Sequence, residues 1–188
     1  IAVVDDEQFL GHVYYGQKLN DYHLDHLLRI KESPFVPSRN NRDRGSFLDS
    51  FPMEYPAHGL GDYREDCISI RTGEGNVGLS LNYVSHKITL GKPALEGLPA
   101  SFGTEQECET LEITCRDSHT GLEAVLMYTV FEDVDVITRS VKVVNASEKT
   151  LFLTRVMSAC LDMDNRDFEA VTLHGSWARE RHIQTVPV

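Results

Sequence analysis

A two-residue period in the apolar side chains constrains this chain more than any other feature. From Leu122 to Val130, the residues Leu122, Ala124, Leu126, Tyr128 and Val130 fall on one face, opposite Glu123, Val125, Met127 and Thr129. Successive side chains of an extended strand point to opposite sides, so the pattern predicts a strand buried on one side and partly covered on the other. The same alternation runs through Leu111, Ile113 and Cys115 and through Val84, His86, Ile88 and Leu90, each set with a wet opposite face. Between Val134 and Val144 the phase changes, which predicts a bulge or a bend. Leu151 to Met163 is apolar on both faces and reads as a central strand.

Turn signals separate these runs: Gly73-Glu74-Gly75-Asn76, Asp117 to Gly121, Glu132-Asp133 and Asn145-Ala146-Ser147-Glu148. Short strands joined by tight turns predict an all-β fold, a large two-sheet antiparallel β-sandwich with one long loop and at most one or two short helices. The helical candidate is Leu24, Leu27, Leu28 and Lys31, spaced i, i+3, i+4 and i+7 and stopped by Pro34. Lys31 to Arg64 holds Pro34, Pro37, Pro52, Pro56 and the charged run Arg39 to Arg44, and cannot be continuous sheet. Long loops inside compact domains usually have a job, so this stretch is either a solvated excursion or an interaction or ligand loop.

Charge narrows the partners. With 18 Lys and Arg against 29 Asp and Glu, the net charge is −11, which argues against nucleic acid or an anionic membrane as partner, because phosphates are neutralised by clustered cations. The 188 residues suit one domain, and the 41% hydrophobic fraction suffices for a core without metal or disulfide staples. No run approaches the ~18 apolar residues of a membrane helix, and Ile1 to Glu7 carries acids where a signal peptide would be basic, so a cytoplasmic location is expected. A start at Ile1 and a stop after Pro187-Val188 lead us to expect an excised piece of a longer protein.

Chemical motifs are sparse. Cys67, Cys108, Cys115 and Cys160 show no C-x-x-C spacing and read as small buried hydrophobes. The sequon Asn145-Ala146-Ser147 reads as an inter-strand turn. There is no G-x-S-x-G nucleophile elbow, and Gly73-Glu74-Gly75 lacks the Lys and helix of a phosphate loop. His23 and His26 would need further ligands to hold a metal, so no cofactor is expected. Asp162, Asp164 and Asp167 read as a polar turn rather than a glycosidase carboxylate pair. Trp177, the one Trp, stands among Gly175, Ser176 and Arg179; it is either packed at the sandwich edge or available to stack on a sugar ring.

Several segments carry a resemblance. They are Leu48-Asp49-Ser50-Phe51-Pro52-Met53-Glu54-Tyr55-Pro56, Gly59-Leu60-Gly61-Asp62-Tyr63-Arg64, Tyr83-Val84-Ser85-His86, Gly91-Lys92-Pro93, Gly97-Leu98-Pro99-Ala100, Thr110-Leu111-Glu112-Ile113, Val136-Ile137-Thr138-Arg139-Ser140 and Trp177-Ala178-Arg179-Glu180-Arg181. Together and in this order they resemble the N-terminal domain of the bacterial α-galactosidases (melibiases) of glycoside hydrolase family thirty-six.

The resemblance implies a β-sandwich of the supersandwich type, residues 1–188 forming a single domain incomplete at its C-terminal edge, ahead of a catalytic (β/α)8 barrel. In that family two barrel Asp residues perform retaining hydrolysis of terminal α-galactosides such as melibiose and raffinose. The family's Lys-Trp-Asp nucleophile motif has no counterpart here, since Trp177 lies between Ser176 and Ala178; no catalytic residue is expected in this chain, and alone it should be inactive. The resemblance further implies a homo-oligomer, a tetramer, in which a loop of this domain reaches a neighbouring subunit's galactose pocket. Arg44 and Trp177 are similar in motif position to residues lining that pocket. Glu32 stands where the family usually has a sugar-binding Asp, although Val36-Pro37-Ser38 departs from the usual Ser-Pro-Asn. Asp49, Glu54, Tyr55, Asp62 and Arg64 are expected to order the loop, and Arg179, Glu180 and Arg181 to form an ion-pair cluster. A free-standing carbohydrate-binding module is the alternative from another class. The choice between hydrolase and galactosyl transferase, or a preference for N-acetylgalactosamine, would rest with barrel loops.

Overall fold

A computed structural model of the chain describes residues 1–4, 8–20, 24, 51–59, 64–97, 100–163 and 166–188. The helical candidate lies outside them except for Leu24, as do His23 and His26. Ten strands follow in order: β1 (Ala2–Val4), β2 (Phe9–Gly11), β3 (Ile68–Thr72), β4 (Asn82–Leu90), β5 (Glu109–Arg116), β6 (Leu122–Phe131), β7 (Val136–Asn145), β8 (Leu151–Val156), β9 (Glu169–Ser176) and β10 (Arg179–Pro187). All named strand pairs are antiparallel. β4-β5-β6-β7 form a four-stranded meander, while β1-β2, β3-β8 and β9-β10 form two-stranded sheets.

The core lies where β3-β8 faces the meander. Ile68 and Ile70 of β3 meet Ile113 and Cys115 of β5 and Leu122, Ala124, Leu126 and Tyr128 of β6, with Leu10, Tyr55 and Ala57 closing one side. This is the sandwich that the period-two pattern predicts, and β6 buries the expected face from Leu122 to Tyr128. A smaller cluster of Phe9, Phe51 and Met53 lies beneath β1-β2.

Two strand expectations need correction, and a third, the bend near Val134, gains its geometry. In β4 the register shifts between Tyr83 and Ser85, so the pairs His86↔Ile113, Ile88↔Leu111 and Leu90↔Glu109 put that apolar row on the core side of the sheet. The row nevertheless runs past the covering layer: Ile88 is 63% and Leu90 60% exposed, and Val130, their neighbour across β5, is exposed too. Leu151 to Met163 is not a central strand. Only Leu151–Val156 is extended, and among the described residues it pairs with β3 alone. The phase change near Val134 is a 3-10 turn, Glu132–Val134, ended by Asp135 in the left-handed region at φ 51; β7 then pairs with β6 without a register shift.

The β5-β6 turn is organised by one buried acid. Asp117 is 2% exposed; its Oδ2 accepts from the Ser80 amide at 2.6 Å, and its Oδ1 accepts from the amides of His119 (2.9 Å) and Thr120 (2.7 Å) and from the Thr120 hydroxyl (2.9 Å). Removing the carboxylate strands several buried donors. Asp117→Ala is therefore expected to cost about 3 kcal/mol, visible as a lower denaturant midpoint at unchanged slope. Asn145 plays the same part at the β7-β8 turn, accepting from the Ser147 amide at 3.0 Å and donating to the Lys149 carbonyl at 2.7 Å, so this sequon is a turn as expected.

Candidate functional site

Two features stand out near the segments that the sequence singled out. The first is a buried charge cluster around Glu54, which sits in a nonrepetitive stretch, Phe51 to Ala57, pressed into the core. Isolated bridges and backbone bonds fix this stretch: Met53 bridges Gly11, the Glu54 amide donates to Leu10 at 2.9 Å, and the His12 amide donates to Pro52 at 2.6 Å. Glu54 is 2% exposed. Its Oε1 accepts from the Tyr128 hydroxyl and from Arg139 Nη1, both at 2.7 Å, and its Oε2 lies 2.7 Å from His12 Nδ1.

Burial by itself would raise the Glu54 pKa. Hydrogen bonds from His12 and Tyr128 and the charge of Arg139 outweigh it and hold the carboxyl below the usual carboxylate range. The Tyr128 hydroxyl is pushed up, first by burial and then by the Glu54 carboxylate, and so stays a donor. Arg139 stacks 3.9 Å over the Tyr128 ring, directly across the β6-β7 pair. A second anchor is Arg64, which pairs with Asp162 and donates from Nη2 to the Met53 carbonyl at 3.1 Å. Tyr55 adds a third by donating to the Met157 carbonyl at 2.7 Å. Sequence reasoning gave Glu54, Tyr55 and Arg64 an ordering role, and these contacts are of that kind. It missed His12, Tyr128 and Arg139 as partners, because only three-dimensional pairing brings them together.

The second feature is the β9-β10 hairpin. Ser176 pairs with Arg179 across a turn made by Trp177 and Ala178, with Ala178 at φ 62. Gly175 is obligatory there: a Cβ would lie 2.2 Å from the Arg179 carbonyl oxygen. The turn projects Trp177 into solvent at 94% exposure. Among the described residues the indole is not packed at the sandwich edge, one of the two readings the sequence left open. Glu180 Oε1 accepts from the Ala178 amide at 2.9 Å. Among the described residues no ion pair joins Arg179, Glu180 and Arg181 to one another. The charges are too well solvated on a two-stranded ribbon for pairing to hold them.

Glu32 and Arg44 lie outside the described residues, and Trp177 is the one expected site residue that the structure locates. Two grooves among the described residues do not contain it. One, of about 960 Å³, opens between the β3-β8 end and the Asp117 turn, bordered by Glu74, Asn76, His119 and Lys149; another, of about 500 Å³, is bordered by Tyr14, Tyr15, Leu19 and Ile137. A bare indole outside both of these grooves offers one wall of a site. Among the described residues, no three His, Cys, Asp or Glu side chains are grouped to hold a metal ion, and no helix is long and apolar enough to cross a membrane.

Comparison with known proteins covers almost the same span as these elements. Residues 8–188 match the glycosyl hydrolase family 36 N-terminal domain. The chain is 38% identical over 181 residues to the α-galactosidase AgaA of Geobacillus stearothermophilus, covering 96% of this chain and 25% of that protein. It is 36% identical over 187 residues to the bifunctional α-galactosidase/sucrose kinase AgaSK of Mediterraneibacter gnavus, covering 98% and 20%. Among solved structures, the galactosidase domain of AgaSK superposes with a TM-score of 0.88 at 36% identity, covering 98% of this chain and 26% of that one. An AgaA variant in complex with raffinose gives 0.87 at 37%, with the same coverage. The chain thus spans about a quarter of the length of these relatives or less, and both its strand architecture and its sequence over nearly the whole length make it a member of the glycosyl hydrolase family 36 N-terminal domain family.

Proposed function

We propose that this chain serves as the non-catalytic N-terminal β-sandwich of a longer, retaining α-galactosidase acting on terminal α-galactosides of the melibiose and raffinose type. In this reading residues 1–188 are one domain, a (β/α)8 barrel supplies the reacting carboxylates, and the domain helps assemble a tetramer. Trp177, Arg44 and Glu32 contribute to a galactose pocket on a neighbouring subunit. The observation that carries the reading is Trp177, an indole 94% exposed at the tip of a hairpin whose turn admits only glycine at position 175. An aromatic face presented to solvent suits the apolar face of a pyranose, and a wall with no opposite wall suits a pocket completed elsewhere. Arg44 would donate to a sugar hydroxyl, and Glu32 would accept from two. Four cysteines that all stand as thiols fit a reducing, cytoplasmic setting.

Calorimetric titration of the isolated chain with melibiose tests this reading. A half-pocket should give no measurable heat of binding, whereas the longer enzyme should hydrolyse the sugar. Clear binding by the isolated chain would overturn the half-pocket and turn the reading to a free-standing carbohydrate-binding module.

A further inference from the structure

The β9-β10 ribbon has two different sides. Its register pairs Leu173 with Ile183 on one, beside Val171, and His174 with His182 on the other, followed by Thr172 with Gln184. All of these residues are exposed. A surface that covered the apolar side would leave the histidine side facing away from it. The two imidazoles stand next to each other, with ring centroids 6.1 Å apart and planes 37° apart. Among the described residues neither ring has a hydrogen bond or an ion pair.

The backbone departs from regular pairing to bring them opposite each other. Ser176 pairs with Arg179, and an unbroken register from there would set Arg181, a cation, across from His174. The register instead shifts by one residue, with Arg181 in the left-handed region at φ 59, where a residue carrying a side chain is strained. His182 thereby takes the place across from His174.

From this pair we propose that His174 and His182 together bind one divalent ion of the zinc, nickel and copper class, which staples β9 to β10 next to Trp177. Imidazole nitrogen is a preferred ligand of these ions, and water fills the remaining positions. With a metal–nitrogen bond of about 2.1 Å, each ring centroid lies about 3.2 Å from the ion, so two rings on a tetrahedral ion stand about 5 Å apart. The observed spacing needs to close by only about 1 Å, which small rotations of two exposed side chains provide. Two protein ligands are fewer than a closed structural zinc site has, so the ion exchanges with solvent. Among the described residues β9 and β10 pair only with each other, and a cross-link between them stiffens a ribbon that is marginal by itself. The site uses no sugar contact and stands apart from the function proposed above.

Trp177, the one Trp, stands three residues beyond His174, about 10 Å along the strand, and serves as reporter. Titrating the chain with nickel(II) alone should quench its emission saturably at micromolar metal, and zinc(II) should compete and restore it. His174→Gln and His182→Gln should each weaken binding by about tenfold or more, and combining them should add little, because either loss leaves a single ligand. Both side chains are exposed, so the metal-free variants should melt with the wild type. In the unsubstituted protein, nickel(II) should protect His174 and His182 together from an imidazole-acylating reagent, read by mass spectrometry of the peptides, which decides the matter even for a variant that fails to fold. Binding only at millimolar metal, unchanged quenching in either variant, or protection of other histidines in place of these two would each overturn the proposal.

Discussion

Replacing Glu54 by Ala is expected to lower the unfolding free energy by about 3–5 kcal/mol, because the Arg139 guanidinium stays buried without its counter-charge. The side chain of Arg139 is 11% exposed and cannot turn to water without leaving the Tyr128 ring. The Tyr128 hydroxyl and His12 lose their acceptor in the same change. A loss of that size is a large part of the total stability of an ordinary domain. Chemical denaturation, followed by a probe that reports global unfolding, checks it.

The same residue sets an acid limit. The native carboxyl titrates below its ordinary value of 4.5, so the stability it contributes is fully present above that value and is lost as pH falls through the lowered native pKa. Glu54→Gln removes the titration while keeping the shape. The stability difference between the wild type and this variant should be constant at neutral pH and shrink below about pH 4. A difference that stayed constant down to pH 3 would show that the cluster carries no charge linkage.

Trp177→Ala and Arg44→Ala, made in the longer enzyme proposed above, should each lower kcat/KM for melibiose. For Trp177 a loss of about tenfold is expected, from the stacking surface alone, with Trp177→Phe keeping most of the activity. For Arg44 the loss should be about ten- to a hundredfold, the worth of one or two charge-assisted hydrogen bonds. In the isolated chain the melting temperature should not move for Trp177→Ala, since there the side chain touches almost nothing. Unchanged kinetics in a correctly assembled enzyme would remove that residue from the pocket.

Local rules recovered what local physics decides. The buried row of β6 follows from alternation, and the Asn145 and Asp117 turns follow from side chains that bond their own backbone two and three residues on. Alternation could not show where a sheet outruns its cover, which is why Ile88 and Leu90 read as core and stand in solvent. Length misled at β8, because an apolar run cannot say how much of itself is extended. The Glu54 cluster was invisible for another reason: its partners stand 42, 74 and 85 residues away in sequence, and no spacing rule reaches that far. Trp177 read as either packed or exposed, and the β9-β10 turn leaves it exposed in this chain.

That hairpin has a mechanical consequence. The eight residues of β9 extend about 25 Å, so the indole rides on the end of a lever whose fulcrum is near Phe168. A tilt of about 5° at the fulcrum carries the ring about 2 Å, and displacements of even 1 Å in a positioning group can cost a hundredfold in rate. The ribbon shows its apolar side, Val171, Leu173 and Ile183, to solvent, and two strands alone are marginally stable. The aim of Trp177 is therefore set by whatever surface the lever rests on, so in the longer enzyme proposed above changes at Val171 or Leu173 should tune affinity for melibiose from far away, without touching the sugar.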